Sequence, residues 1–103
     1  MSGYELTEAA DADIQAIARY TVTTWWIEQA RRYEAILESH FQAIGRDNAQ
    51  TRIFLKHRRK LRVSRIEYHY VFHLIREKQC PLILEILHEN MDLMNRLRHR
   101  LDC

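Results

Sequence analysis

Leu61-Arg62-Val63-Ser64-Arg65-Ile66-Glu67-Tyr68-His69-Tyr70-Val71-Phe72-His73-Leu74-Ile75 decides the fold, because near residue 60 the apolar period changes from 3.6 to 2. Leu61, Val63 and Arg65 alternate, and so do Tyr68, Tyr70, Phe72 and Leu74. This is the pattern of extended chain, in which successive side chains point to opposite faces. The interleaved set His69, Val71, His73 and Ile75 is itself partly apolar. Two strands within 61–75 are therefore expected.

Upstream of this stretch the period is helical. Thr7 can accept an orphan backbone N–H as a cap, and Glu8 and Asp11 place negative charge in the first turn. Ala10, Ile14, Ile17, Thr21 and Trp25 then share one face, followed by Ala30, Tyr33, Leu37, Phe41 and Ile44 on a second. Gly45 comes next, where a helix often ends in a left-handed residue. The spacing predicts helices over about 8–26 and 28–44, joined almost without a linker as an antiparallel hairpin. Gly3 to Leu6 can begin with a short strand.

Downstream, Arg76 to Gln79 is polar and makes a turn, Pro81 suits the start of a strand, and Leu82 to Leu87 is an apolar run of strand length. Beyond Asn90 the period is helical again, through Leu93 or Met94, Leu97 and Leu101. Arg46 to Lys60 reads as an irregular basic connection or an exposed short helix, with one apolar island at Ile53-Phe54-Leu55. The expected fold is α+β, a helical hairpin on one face of an antiparallel sheet that includes 61–75 and 82–88, closed by a short C-terminal helix.

A chain of 103 residues is expected to form one domain, 1–103. Its hydrophobic content of 47% argues against disorder, and two glycines and one proline argue against turn-rich β architecture. No run of roughly 18 apolar residues suggests a membrane span, and no secretory signal is evident, so the expected address is the cytoplasm. Cys80 and Cys103 read as ordinary thiols there. The net charge of +2 is unevenly spread. Residues 1–44 carry seven acids and three arginines, whereas 45–65 carry eight Lys/Arg and one acid. A block this basic attracts an acidic partner, either nucleic acid or an anionic protein surface.

Catalytic and metal chemistry find little support. His69 and His73 share a face if the segment is a strand, but lie about 13 Å apart by strand rise, too far for one metal. His40, His57, His88 and His99 have no ligand-like spacing to Cys or carboxylate. No glycine-rich phosphate loop or nucleophile elbow is present, and Asp11 and Asp13 diverge on a helix. No catalytic residue, metal site or cofactor is expected. Arg58, Arg59, Lys60, Arg62 and Arg65, with Tyr68 and Tyr70, suit phosphates and bases or, alternatively, form a solvated loop facing an acidic protein. For Trp25 and Trp26 the core is the expected place, with one of them an alternative exposed anchor.

Four stretches, in order, resemble one family. Ile83-Leu84-Glu85-Ile86-Leu87-His88-Glu89-Asn90-Met91-Asp92-Leu93 looks like the closing strand of ParE toxins, and His69-Tyr70-Val71-Phe72 like their middle strand. Leu6-Thr7, Ala9-Ala10, Asp13 and Ile14 resemble the family's start, and Tyr20-Thr21, Trp25, Gln29 and Tyr33 its two-helix pattern. The resemblance is greatest to the subgroup of broad-host-range plasmids, through Met91-Asp92-Leu93-Met94 and Arg96-Leu97, and weakest over 46–60. Trp26 departs from the family, which usually has glycine after the first Trp.

The resemblance implies the toxin of a type II toxin–antitoxin system, of RelE-like fold without the RelE nuclease residues. A ParD-like or related antitoxin would neutralise it, with higher-order assemblies possible, and DNA gyrase would be its target. Trp25, Trp26, Tyr33 and Phe41 are the expected antitoxin-binding residues, on the view that part of this apolar surface is exposed in the free toxin. Arg96, Arg98 and Arg100 are the expected target-binding residues. A RelE-like mRNA interferase is the alternative, opposed by the acidic Glu89-Asn90-Met91-Asp92 segment.

Overall fold

In a computed structural model of the chain, residues 3–90 are described. The C-terminal helix expected beyond Asn90, Cys103, His99 and the tail arginines Arg96, Arg98 and Arg100 lie outside them. The order is β1 (Glu5–Leu6), α1 (Glu8–Trp25), α2 (Ile27–Gly45), β2 (Arg52–Leu55), β3 (Arg58–Ile66), β4 (His69–Leu74) and β5 (Leu82–His88). The strands form one sheet in the order β1-β5-β4-β3-β2. β1 runs parallel to β5, and every other pairing is antiparallel. The segment 46–60 is more regular than its sequence suggests. Its apolar island lies in β2, which pairs with β3 as Arg52↔Val63, Ile53↔Arg62 and Leu55↔Arg58.

Alternation along β4 divides the interior. Val71, with Ile83 and Ile86 of β5, packs under Ala10, Tyr33, Leu37, Phe41 and Ile44 of the helices. Phe72 points to the other face, where it joins Leu61, Val63 and Leu87 against Phe54, Leu55, Tyr70 and Leu84. His69, Val71 and His73 are thus the residues beneath the hairpin, while Tyr70 and Phe72 serve the far side.

β5 carries a bulge at Leu84, since Phe72 pairs with Glu85 and His73 with Ile83. A bulge leaves backbone groups outside the ladder, and here α1 answers them. The hydroxyl of Thr7 donates to the Leu84 carbonyl at 2.7 Å, and an Asp13 carboxylate oxygen accepts from the Ile86 N–H at 3.0 Å. Thr7 also accepts from the Ala10 N–H at 3.0 Å, so one hydroxyl caps the helix and fastens it to the sheet.

Gly45 serves a purpose other than the expected left-handed cap. No glycine has positive φ, and the left-handed residue after α2 is Asp47, with φ 59°. A Cβ on Gly45 would lie 2.5 Å from the carbonyl oxygen of Gly3. Glycine is needed here because another backbone passes against it.

Candidate functional site

The hairpin turns at one residue. Trp26 lies between α1 and α2 with φ 85° and ψ 163°, a backbone conformation open to glycine and costly for a residue with a Cβ. Its N–H still bonds the Val22 carbonyl at 3.1 Å, and its own carbonyl accepts from Ala30 at 3.2 Å, so the break costs no helical hydrogen bond at this residue. The side chain is 81% exposed and that of Trp25 62%, so neither tryptophan occupies the core that the sequence suggests. Val22 and Ile27 are also exposed around them. Tyr33 and Phe41, expected on the same surface, are instead 8% and 2% exposed. They lie on the face of α2 that meets the sheet, and Phe41 in addition stacks at a tilt on Tyr4 with ring centroids 5.4 Å apart. Phe41 offers no open contact surface.

Beside the tip lies a groove of about 820 Å³ between the hairpin, the β3–β4 turn and the end of β5. Trp25 and Tyr20 line it from α1, Arg32 and Tyr33 from α2, Tyr68 from the turn, and His69 and His88 from the sheet. This volume matches pockets that hold a small ligand or the anchoring side chains of a partner. At its floor the Tyr33 hydroxyl meets His69 Nδ1 at 2.5 Å, and the rings of His69 and His88 stand edge to face. Burial, then the neighbouring His88, pushes the His69 pKa down to about 4, and burial raises that of Tyr33 to about 12. Both groups are therefore neutral near pH 7. His88, Tyr20 and Tyr68 had no assigned role in this site. A cross-strand neighbour such as His88 is invisible until the register is known, although the resemblance already drew attention to Tyr20 and His69.

The basic block is spread over two different settings. Arg52, Lys56, His57, Arg58, Arg59 and Lys60 are exposed on the β2–β3 hairpin, where Lys60 reaches Glu77 at 3.6 Å. Arg62 instead turns to the hydroxyl and carbonyl of Thr51, each at 3.2 Å. Arg65 forms an ion pair with Glu89, and its guanidinium lies 5.5 Å from the Tyr70 ring centroid. A smaller recess of about 350 Å³ is lined by Arg62, His73 and Arg76. Arg76 is held there by the Cys80 carbonyl at 2.7 Å and by Glu5 at 2.5 Å. His73, 5% exposed, has an Nδ1 without a hydrogen-bond partner among the described residues, and burial and nearby Arg62 push its pKa down to about 4. With both guanidiniums engaged, this recess reads as structure.

Among the described residues, no three of His, Cys, Asp and Glu group as a metal site, and no helix is long and apolar enough to cross a membrane. His69 and His73 occupy the same strand and face, as expected, but His69 meets His88 and His73 faces Arg62 across the sheet.

Comparison with known proteins is consistent throughout. The family described as "ParE toxin of type II toxin-antitoxin system, parDE" matches residues 4–93. A protein named "Toxin ParE" from Escherichia coli is 42% identical over 101 residues, 98% of each chain. A solved chain titled "Chromosomal ParDE TA system from P. aeruginosa" has the same fold, with a TM-score of 0.70 over 85% of this chain and 96% of that one, at 18% identity.

Proposed function

The chain belongs to the ParE toxin family of type II toxin–antitoxin systems, and we propose that it acts in the cytoplasm as one ParE-like unit by binding DNA gyrase and inhibiting it. A ParD-like or related antitoxin holds it inactive by laying an amphipathic helix along the hairpin tip and groove. The observation that carries this docking reading is Trp26. A large apolar side chain, 81% exposed, occupies a backbone conformation that glycine would fill without strain. Strain retained on an exposed side chain points to a contact made with something else. Trp25, Tyr20 and the groove beside it extend that contact, and Trp is the residue most enriched among binding hot spots.

The mode of action is binding rather than catalysis. The RelE-like alternative needs free cations beside a bound phosphate, and Arg65 is tied to Glu89, an acid that repels such a ligand. Arg96, Arg98 and Arg100 remain the residues assigned to the target. Expression of the toxin without antitoxin should induce the SOS response and chromosome breakage while leaving mRNA intact. Ribosome-dependent mRNA cleavage abolished by Arg58→Ala would establish the nuclease instead. Replacing Arg96, Arg98 and Arg100 together by Ala should abolish toxicity and leave antitoxin binding in place. Unchanged toxicity would move the target contact to the exposed residues of the basic hairpin.

A further inference from the structure

The groove floor holds two imidazoles, His69 and His88. His69 on β4 and His88 on β5 are cross-strand partners, with ring planes at 89° and centroids 5.3 Å apart. The backbone N–H of Asn90 reaches His88 Nδ1 at 3.1 Å. A backbone N–H can only donate, so this Nδ1 accepts and the ring proton sits on Nε2. At His69, the Tyr33 hydroxyl lies 2.5 Å from Nδ1 and 3.5 Å from the Ile66 carbonyl. Donation from the phenol to Nδ1, the shorter of its two contacts, leaves the His69 proton on Nε2, whereas donation to the Ile66 carbonyl leaves it on Nδ1.

Among the described residues neither Nε2 has a hydrogen-bond partner, and neither is a buried unsatisfied atom. His69 and His88, on adjacent strands, thus line a cavity walled by Tyr20, Trp25 and Tyr68. Arg32 and Glu67 also line it with opposite formal charges, and the neighbouring Glu89 carboxylate is paired with Arg65. A carboxylate has two oxygens with which to answer a pair of imidazole N–H donors, and charge-assisted hydrogen bonds of this kind are the stronger ones. A metal ion fits poorly. Binding at Nε2 would move the His88 proton to Nδ1, against the Asn90 N–H.

We propose that His69 holds its proton on Nε2 and forms with His88 a paired N–H donor site that receives the carboxylate of an Asp or Glu side chain on the protein segment docked in the groove. The occupant is a segment and not a free small acid, because the apolar surface continues past the cavity through Val22, Trp26 and Ile27, all exposed. This rests on reading the groove as the antitoxin's seat.

Two arms test it separately. In the first, long-range proton–nitrogen NMR of the free toxin should read both rings as Nε2–H tautomers. Titration with 3-phenylpropionate should then shift both Nε2–H groups, while 3-phenylpropanol should bind at least about tenfold more weakly, the scale of one charge-assisted hydrogen bond. His69→Phe and His88→Phe should each weaken the acid about tenfold, and His88→Gln, which restores an N–H donor, should recover part of that loss. An Nδ1–H tautomer at His88, equal binding of acid and alcohol, or unchanged acid binding in both Phe variants with native NMR spectra would overturn the donor site. In the second arm the purified antitoxin replaces the probe. Affinity lost in Trp25→Ala but unchanged in His69→Phe and His88→Phe would keep the groove as the seat and overturn the carboxylate contact. Affinity unchanged in Trp25→Ala would overturn the seat itself, and with it the assignment of the occupant.

Discussion

Two aromatic pairs on the same helical hairpin have opposite fates. Tyr33 and Phe41 of α2 are 8% and 2% exposed, whereas Trp25 and Trp26 at the turn are 62% and 81% exposed. In sequence the four look alike, large apolar residues spaced along two amphipathic helices. Tyr33 and Phe41 recur with Ala30, Leu37 and Ile44 on the face that meets β4 and β5. Trp25 continues the apolar stripe of α1, along which burial falls from buried Ala10 through half-buried Ile14, Ile17 and Thr21 to exposed Trp25. An amphipathic period says which residues share a face, and the length of the opposing surface decides how far along the face burial extends.

The comparison predicts where each replacement should register. Phe41→Ala should have the largest effect, a loss of about 3–5 kcal/mol in unfolding free energy, as for aromatic truncation in a packed core. Denaturant titration measures it, and antitoxin affinity should change only through the folded fraction. Trp25→Ala should do the reverse, weakening the antitoxin by about 2 kcal/mol in calorimetry, while stability stays within about 0.5 kcal/mol. A stability loss as large as that of Phe41→Ala would erase the distinction between the pairs.

Trp26→Gly is the sharper test, because its two effects have opposite sign. Relief of the strained backbone should raise stability by about 1 kcal/mol or more, offset in part by the greater freedom glycine brings to the unfolded chain. The same change should weaken antitoxin binding. Greater stability with unchanged affinity would leave Trp26 without the proposed role.

Acid gives the smallest and most gradual effect, and it acts beneath the buried pair. His69, which touches Tyr33, and His73 both have folded-state pKa values near 4 against an ordinary 6.5. The unfolded chain therefore binds protons first as pH falls. Their contribution to stability is complete above about 6.5 and is lost as pH drops toward 4. The melting temperature should decline through that window, and His73→Leu, which removes one of the two titrations, should flatten the decline. An equal decline in that variant would exclude His73 as a source.

Several features were legible because they are local. The Thr7 cap, the helical faces and the strands at 61–75 and 82–88 all follow from the spacing of neighbours along the chain, and family membership followed from motifs that keep that spacing. The exposure of the expected antitoxin-binding residues was only half legible. Periodicity identified Trp25, Trp26, Tyr33 and Phe41 as apolar positions, but nothing in it could separate a buried face from an uncovered end. The segment 52–55 looked irregular because charged neighbours obscured a four-residue edge strand.

The sequence by itself determined the helical hairpin, the change of period near residue 60 and the belonging to the ParE toxins, since each is written in residues near one another in the chain. Only the tertiary structure decided that Gly45 serves a close approach to Gly3, that His69 stands beside His88, and that Trp26 carries a glycine-like backbone in the open. These depend on register, on the bulge at Leu84 and on how the backbone passes between distant elements. Such features arise from pairings between residues distant in sequence, and no local period encodes them.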